Sequence, residues 1–244
     1  MKAGRGSFGV ARKLAARSAI PGRDARATRG RAGALTLCLI LAGCAAPSHE
    51  PRNISLLKDE IRAYVADGRY ARDIAAVATR ADAWLVQRAV RRADGERLAV
   101  VLDLDETLLS NWPFIAAEDI GGSDAAWDAW LVKGEAPAIE PVCAVYRTAR
   151  RLGIEVLFIT SRGESLRAAT EKNLRAIGCG EFAVLAMKPA GAKETAAAFK
   201  AGERRRLSAE GRAIVANIGD QDSDLAGGFA ERTFKLPDPF YFTR

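Results

Sequence analysis

The chain reads as an α/β protein built on a doubly wound parallel sheet, and three observations carry that reading. Four apolar runs of strand length recur: "LAVVL" (98–102), "IEVLFI" (154–159), "FAVLAM" (182–187) and "AIVANI" (213–218). Helix-like stretches separate them, at roughly 139–152, 162–177 and 191–209. Strands buried on both faces give continuous apolar runs, and their alternation with helices points to parallel pairing through crossovers. The third observation is that three of the runs end in polar residues. The first ends in Asp103-Leu104-Asp105, the second in Thr160-Ser161-Arg162, and the last in Gly219-Asp220 followed by Asp222 and Asp224. Open parallel sheets bind ligands outside the carboxyl ends of their strands, so these residues outline a site.

Ahead of the sheet lies a basic leader. The chain has 244 residues, 49% of them apolar, which suffices for a real core, and a net charge of +7. That charge is unevenly placed. Residues 1–43 hold nine Lys/Arg and one acid, Asp24, leaving 28 bases against 29 acids from residue 44 onward. The folded part therefore has no net basic footprint, and no nucleic-acid partner is expected. Arg29 and Arg31 precede "AGALTLCLILAG" (32–43), too short to span a bilayer and of signal-core length. The run ends in "LAGC", which resembles the bacterial lipobox, in which the cysteine, here Cys44, is lipidated and becomes the mature N-terminus. On this reading residues 1–43 are a signal segment and 44–53 a lipidated tether. Residues 54–244 are then the folded domain, held at the cell envelope on the outer membrane or facing the periplasm if the source is Gram-negative. The competing reading of "LAGC" is a buried helix that contains a cysteine. Residues 1–28 read either as a transit-like segment or as sequence upstream of the true start codon. "GRGSFG" (4–9) matches a nucleotide-loop pattern, but no strand precedes it.

The cysteines and the lone histidine narrow the chemistry. Cys38 would leave with the signal, and Cys143 and Cys179 remain. An oxidising compartment would let them pair, and two free buried thiols are equally open. His49, the only histidine, lies in the tether, which excludes histidine-based nucleophilic or zinc chemistry in the folded domain.

In the folded part, apolar residues at Ile54, Leu57, Ile61 and Val65, then Ile74, Val77, Ala81 and Leu85, give two amphipathic helices that "DG" (94–95) ends. They form an N-terminal helical extension. After the first strand, Trp112, Phe114, Trp127 and Trp130 cluster in what reads as a small helical insert. Ser161 and Glu164 have capping-box spacing, which predicts a helix starting there with its free N–H groups at the mouth of the sheet.

Asp103 and Asp105 are two apart, so an extended backbone points both the same way while Leu104 points inward. With Asp220 and Asp224 they make an all-oxygen site, suited to Mg²⁺ rather than zinc. Such a site can hold a phosphate, leaving one Asp to attack phosphorus and the other to move protons.

"DLDET", "FITSR", a lysine and "IGDQDSDL", in that order, resemble the four motifs of the haloacid-dehalogenase-like (HAD) phosphohydrolases. "YVADGRYARDIAAV" (64–77) and "RTFKLPDPFYF" (232–242) extend the likeness over nearly the whole mature chain. It is closest to the class B/class C acid phosphatase branch (subfamily IIIB), which includes plant vegetative-storage-type phosphatases and bacterial lipoprotein phosphatases. The resemblance implies a HAD-like, Rossmann-like fold and a Mg²⁺-dependent acid phosphatase acting through an aspartyl-phosphate. Asp103 would be the nucleophile and a metal ligand, and Asp105 the general acid/base and a ligand through its backbone carbonyl. Thr160 would bind the phosphoryl group, with Ser161 and Arg162 beside it. Asp220 and Asp224 would complete the metal site. Lys188, Lys193 and Lys200 all lie in the lysine window, and "FKAGERRRLSAEG" matches the family phrase that selects Lys200. Trp112 is expected on the wall of the substrate pocket, for a nucleotide, aryl or sugar phosphate. Two residues depart from the plant pattern: Ser161 replaces Gly, and Asp222 replaces Trp, adding a charge that either tightens metal binding or faces solvent. A non-catalytic surface lipoprotein and a phosphotransferase are the alternatives.

Overall fold

The computed structural model describes residues 50–243. The leader, Cys44 and most of the tether lie outside the described residues. Two helices open the fold, α1 (Ile54–Ala66) and α2 (Arg69–Val90). Asn53 caps α1 by accepting the Ser55 N–H at 2.9 Å. The chain turns between the helices at Gly68, whose φ of +77° suits a residue without Cβ. Tyr70, Ile74, Val77, Ala78, Ala81 and Leu85 of α2 are buried, the stripe expected from their spacing. Helix α1 differs: its stripe is only half-covered, and Ile54 at its start is 68% exposed. Among the described residues no helix is long and apolar enough to cross a membrane.

The sheet has five parallel strands in the order β3-β2-β1-β4-β5: β1 (Arg97–Leu102), β2 (Glu155–Gly163), β3 (Val184–Lys188), β4 (Arg212–Gly219) and β5 (Thr233–Lys235). The first four are the predicted apolar runs. The fifth is a three-residue edge strand with no apolar run, and periodicity gave no sign of it. Helices α3 (Trp112–Ala117) and α4 (Asp124–Lys133) form the insert after β1, and α5 (Glu140–Arg151) leads to β2. Helix α6 (Arg167–Ala176) joins β2 to β3, α7 (Ala196–Ala209) joins β3 to β4, and the short α8 (Asp222–Leu225) follows β4.

Strand alternation divides the core. Leu98, Val100 and Leu102 of β1, with Val156 and Phe158 of β2, join the larger cluster that contains α2 and α5. Ala99, Val101, Leu157 and Ile159 face the other way, onto Phe199 and Leu207 of α7. The chain winds outward from β1 to β2 and β3, then returns to place β4 on the other side of β1. The crevice at this reversal opens between the carboxyl ends of β1 and β4.

Candidate active site

The floor of this crevice follows from the strand period. Asp103 comes two residues after Val101 on the face covered by α7, and its N–H stays on the sheet by donating to Ile218 O at 3.0 Å. It therefore meets Lys200 of α7, whose ammonium lies 2.6 Å from Asp103 Oδ1 and 2.5 Å from Asp224 Oδ1. Asp220, just beyond β4, accepts from the Thr107 hydroxyl at 3.0 Å and from Gln221 Nε2 at 2.8 Å. Gly219 is required here, because a Cβ on it would lie 2.4 Å from Asp224. Arg204 of α7 donates to the carbonyls of Asp224 (2.6 Å), Gly228 (2.9 Å) and Ala226, clamping this loop.

Asp103, Asp220 and Asp224 are all buried, and each offers an oxygen within 4.8 Å of the others'. Burial pushes Asp103 up to about 7; Lys200 opposes the rise, while Asp224 and Asp105 add to it. Asp220 is raised well above the carboxylate range by burial and then by Asp103 and Asp224. Burial alone would lower Lys200, but the two aspartates hold its ammonium above the ordinary lysine value. Three crowded carboxylates and one ammonium leave negative charge uncompensated. An all-oxygen donor set with that deficit fits a hard divalent cation.

Asp105 belongs to a neighbouring network. Arg162 grips its carboxylate, with Nη2 2.7 Å from Oδ1 and Nε 3.0 Å from Oδ2, and Asn111 Nδ2 donates to Oδ1 at 2.8 Å. Burial would raise Asp105, but Arg162 and then Asn111 hold it below its ordinary value. The next residue, Glu106, takes a left-handed backbone (φ +50°), a conformation costing about 1–2 kcal/mol away from glycine. Three hydrogen bonds hold its buried carboxyl: from Asn111 N (2.6 Å), Asn111 Nδ2 (3.0 Å) and the Tyr241 hydroxyl (2.9 Å). Burial and the adjacent Asp105 push Glu106 up to about 8. Asn111 also accepts from Trp130 Nε1 at 2.7 Å, joining the insert to this network.

Over the floor opens a cavity of about 630 Å³. Asp103, Asp105, Ser161, Arg162, Lys200, Asp220 and Asp224 all line it. Two expected residues do not. Thr160 is fully buried, and its Oγ1 accepts the Arg162 N–H at 3.1 Å. Trp112, at the first turn of α3, packs on Phe240 of the C-terminal segment, ring centroids 5.1 Å apart. The aromatic wall is made by Phe114 and Trp127 of the insert with Phe240 and Tyr241. Phe114 meets Trp127 edge-on at 5.4 Å, and Trp127 meets Tyr241 at 6.2 Å.

The capping box expected at Ser161 and Glu164 does not form. Strand β2 continues to Gly163, paired with Lys188 of β3, and a 3₁₀ turn (Glu164–Leu166) precedes α6, which starts at Arg167 without a side-chain cap. Glu164 instead pairs with Arg167 at 2.5 Å. Of the three lysines, only Lys200 reaches the floor; Lys188 donates to Glu194 O at 2.7 Å and Lys193 is exposed. Asp222 is exposed, outside the carboxylate cluster. The arginine run 204–206 is no surface patch, since Arg204 is fully buried and Arg206 pairs with Glu203 and Glu210. Asn111, Gln221 and Tyr241 were not expected at the site, and Glu106 was given no role there. Glu106 alone carried a signal, as a third acid in a four-residue turn.

A family model described as HAD superfamily, subfamily IIIB (acid phosphatase) matches residues 44–244. Acid phosphatase 1 of Solanum lycopersicum is 33% identical over 189 residues, 75% of this chain and 73% of that protein. Vegetative storage protein 1 of Arabidopsis thaliana is 38% identical over 147 residues, 58% of this chain, so the alignment spans about half (54%) of that relative. Among solved structures, the class C acid phosphatase from Bacillus anthracis superposes with a TM-score of 0.64 over 77% of this chain and 86% of that one, at 22% identity, a likeness of fold. With its motifs in order and the match running from residue 44 to the last residue, the chain belongs to the HAD superfamily, subfamily IIIB, the acid phosphatases.

Proposed function

We propose that this protein is a divalent-metal-dependent acid phosphatase that hydrolyses small phosphomonoesters through an aspartyl-phosphate on Asp103. The observation that carries the reading is the convergence of Asp103, Asp220, Asp224 and Lys200 on the floor of one aromatic-walled cavity. Asp103, Asp220 and Asp224 would hold the cation, Mg²⁺ in our reading, with the Asp105 carbonyl as a further ligand. Once bound, the cation supplies positive charge that keeps the carboxylates ionised and offsets their repulsion of phosphate.

Asp103 attacks phosphorus and the phosphoryl group passes to its carboxylate oxygen. Lys200, held by one ion pair to Asp103 and another to Asp224, is a preorganised cation beside the transferring group. Ser161, exposed at the cavity lip, and the buried Arg162 both line the cavity and would meet the phosphoryl oxygens, and the buried Thr160 supports that segment through the Arg162 N–H. Asp105, gripped by Arg162, is in the ionised form suited to taking a proton from water when the phosphoenzyme is hydrolysed. To give a proton to the leaving alcohol, the pair must open and Asp105 first take a proton from solvent; the alcohol then departs, and water deprotonated by Asp105 attacks phosphorus, releasing phosphate and freeing Asp103. Phe114, Trp127 and Tyr241 offer stacking surfaces for a nucleobase or aryl leaving group, while sugar phosphates would use the polar lip.

The same reading includes attachment to the cell envelope through a lipidated Cys44, supported by "LAGC" after an arginine-flanked apolar run. One acyl chain binds membranes marginally, so multiple acylation is expected. Intact mass of membrane-extracted protein, wild type against Cys44→Ser, tests the anchor; an unmodified Cys44 would remove it. Hydrolysis of aryl and nucleoside monophosphates, with Mg²⁺ and with chelator, tests the activity. Metal-dependent phosphate release that Asp103→Asn abolishes is expected. No release from any monoester by folded, metal-loaded protein would leave a non-catalytic binding protein.

A further inference from the structure

Away from the site, Cys143 and Cys179 stand together in the larger core cluster, both fully buried, with Sγ atoms 3.6 Å apart. They come from different elements. Cys143 lies in the first turn of α5, and Cys179 on the connection from α6 to β3. Loop closure alone gives no reason for 36 residues to return to one point; the surrounding contacts do. One turn beyond Cys143, the Tyr146 hydroxyl donates to Glu181 O at 2.9 Å and accepts the Glu181 N–H at 3.1 Å. Arg150 pairs with the Glu181 carboxylate one turn further on. On the other side, the Cys179 N–H donates to Leu174 O at 2.8 Å. Gly180 packs so closely on Arg175 that a Cβ would lie 2.7 Å from its Cγ. Both cysteine backbones are thus held independently of their sulfurs. The pair lies outside the one cluster among the described residues able to hold a metal ion, and two thiols fall short of the four ligands of a structural zinc site.

We propose that Cys143 and Cys179 are a disulfide site: during folding in the presence of a disulfide oxidant they form a bond that ties α5 to the α6–β3 connection. While packing is incomplete both thiols are reachable and either can attack first; the exchange is written here from Cys179. Its thiolate attacks one sulfur of the oxidant, such as glutathione disulfide, and one glutathione leaves as thiolate. Cys143, having given up its proton, then attacks the Cys179 sulfur and expels the second glutathione. The two protein sulfurs lose the two electrons that the oxidant gains, and the two protons end on the two glutathione thiols. Because both sulfurs are buried in the finished fold, the bond forms before packing is complete, and reductant reaches it only on unfolding. The bond closes a loop around β2, whose carboxyl end carries Ser161 and Arg162.

The test is peptide mapping of the full chain in two preparations. One is unfolded with reductant and refolded in a glutathione redox buffer; the other is folded during export to a bacterial periplasm. Thiols are alkylated in denaturant, and the chain is digested without reductant. A peptide joining Cys143 to Cys179 in either preparation is the expected result. Alkylated or glutathionylated Cys143 and Cys179 in both would overturn the proposal. The oxidised chain should melt about 5–15 °C above the same chain reduced in denaturant and refolded with reductant. Cys143→Ala/Cys179→Ala should melt identically under both conditions. Equal melting of wild type in the two states would overturn the stabilising role of the bond.

Discussion

The floor and the wall of the cavity are built by different physics. The floor draws Asp103 and Asp220 from just beyond β1 and β4, Lys200 from α7 and Asp224 from α8, and joins them by ion pairs and hydrogen bonds that leave little freedom. The wall is four aromatic rings from the insert and the C-terminal segment: Trp127 meets Phe114 and Tyr241 edge-on, and Phe240 packs on Trp112. Charges at the floor must be placed to fractions of an ångström, because their mutual energies are steep and burial amplifies them. Apolar contacts are non-directional and tolerate exchange. In such a site the floor should set which bond is broken, and the wall which molecule carries it. Gln221 bridges the two by donating to Asp220 of the floor and to the Tyr241 carbonyl of the wall, and Asn111 links Trp130 of the insert to Asp105.

The largest effect should come from the floor. Asp103→Asn removes the nucleophilic charge while nearly keeping its shape, and kcat should fall on the order of 10⁴-fold or more, with the circular dichroism of wild type. Steady-state assays that found near-normal turnover would refute the nucleophile assignment.

Next comes Asp105→Asn, where Asp103 can still attack. With alkyl phosphates the loss should be roughly 10²–10⁴-fold. Aryl phosphates, whose leaving groups need little protonation, should lose less in the first step, and rapid-quench experiments should show phosphoenzyme accumulating. Equal losses across leaving groups would mean that Asp105 does no proton transfer.

A wall substitution should change a different quantity. Trp127→Ala should raise KM for nucleoside monophosphates by roughly 5–100-fold, the range for lost base stacking, with a much smaller change for a methyl or glycerol phosphate. A kcat loss shared by all substrates would instead make the wall part of the chemical machinery.

Metal binding should depend on pH with a definite sign. Asp103 is raised to about 7 and Asp220 is also raised well above its ordinary value, so the metal-free fold keeps protons that the unfolded chain releases. Between the unfolded value near 4 and these raised values, metal-free stability falls as pH rises. A cation displaces those protons, so the gain in Tm from Mg²⁺ should grow from pH 5 to pH 7.5. Thermal melts showing a constant or shrinking gain would count against the carboxylate cluster as the metal site.

The smallest effect should be at Asp222→Asn. The residue is exposed and outside the cluster, so metal affinity should change by less than about twofold. Titration calorimetry revealing a tenfold loss would move Asp222 into the site.

The sheet was legible because its signal is local. Four apolar runs of strand length and the helices between them were set by burial on both faces, and β1 to β4 follow them. The short edge strand β5 was not, because three residues, two of them exposed, carry no periodicity and are ordered by pairing with Asn217 to Gly219. The same contrast holds at the site. Asp103, Asp220 and Asp224 could be read from strand ends, and the family phrase singled out Lys200. Asn111, Gln221 and Tyr241 act through hydrogen bonds spanning 5, 17 and 135 residues, from Asn111 N to Glu106, Gln221 Nε2 to Asp238 and the Tyr241 hydroxyl to Glu106, and no short window contains both ends of the longer two.

By itself the sequence determined the α/β winding, the order of the motifs and the acids at the strand ends, all consequences of residue type and spacing along one segment. Tertiary structure decided what those segments do to one another. It paired Asp105 with Arg162, displaced the expected helix start by extending β2 against β3, turned Trp112 onto Phe240 and put Trp127 in the wall, and buried Arg204 as a clamp. Each of these rests on contacts between distant segments, whose free energies exist only once the backbone has brought the partners together and excluded water.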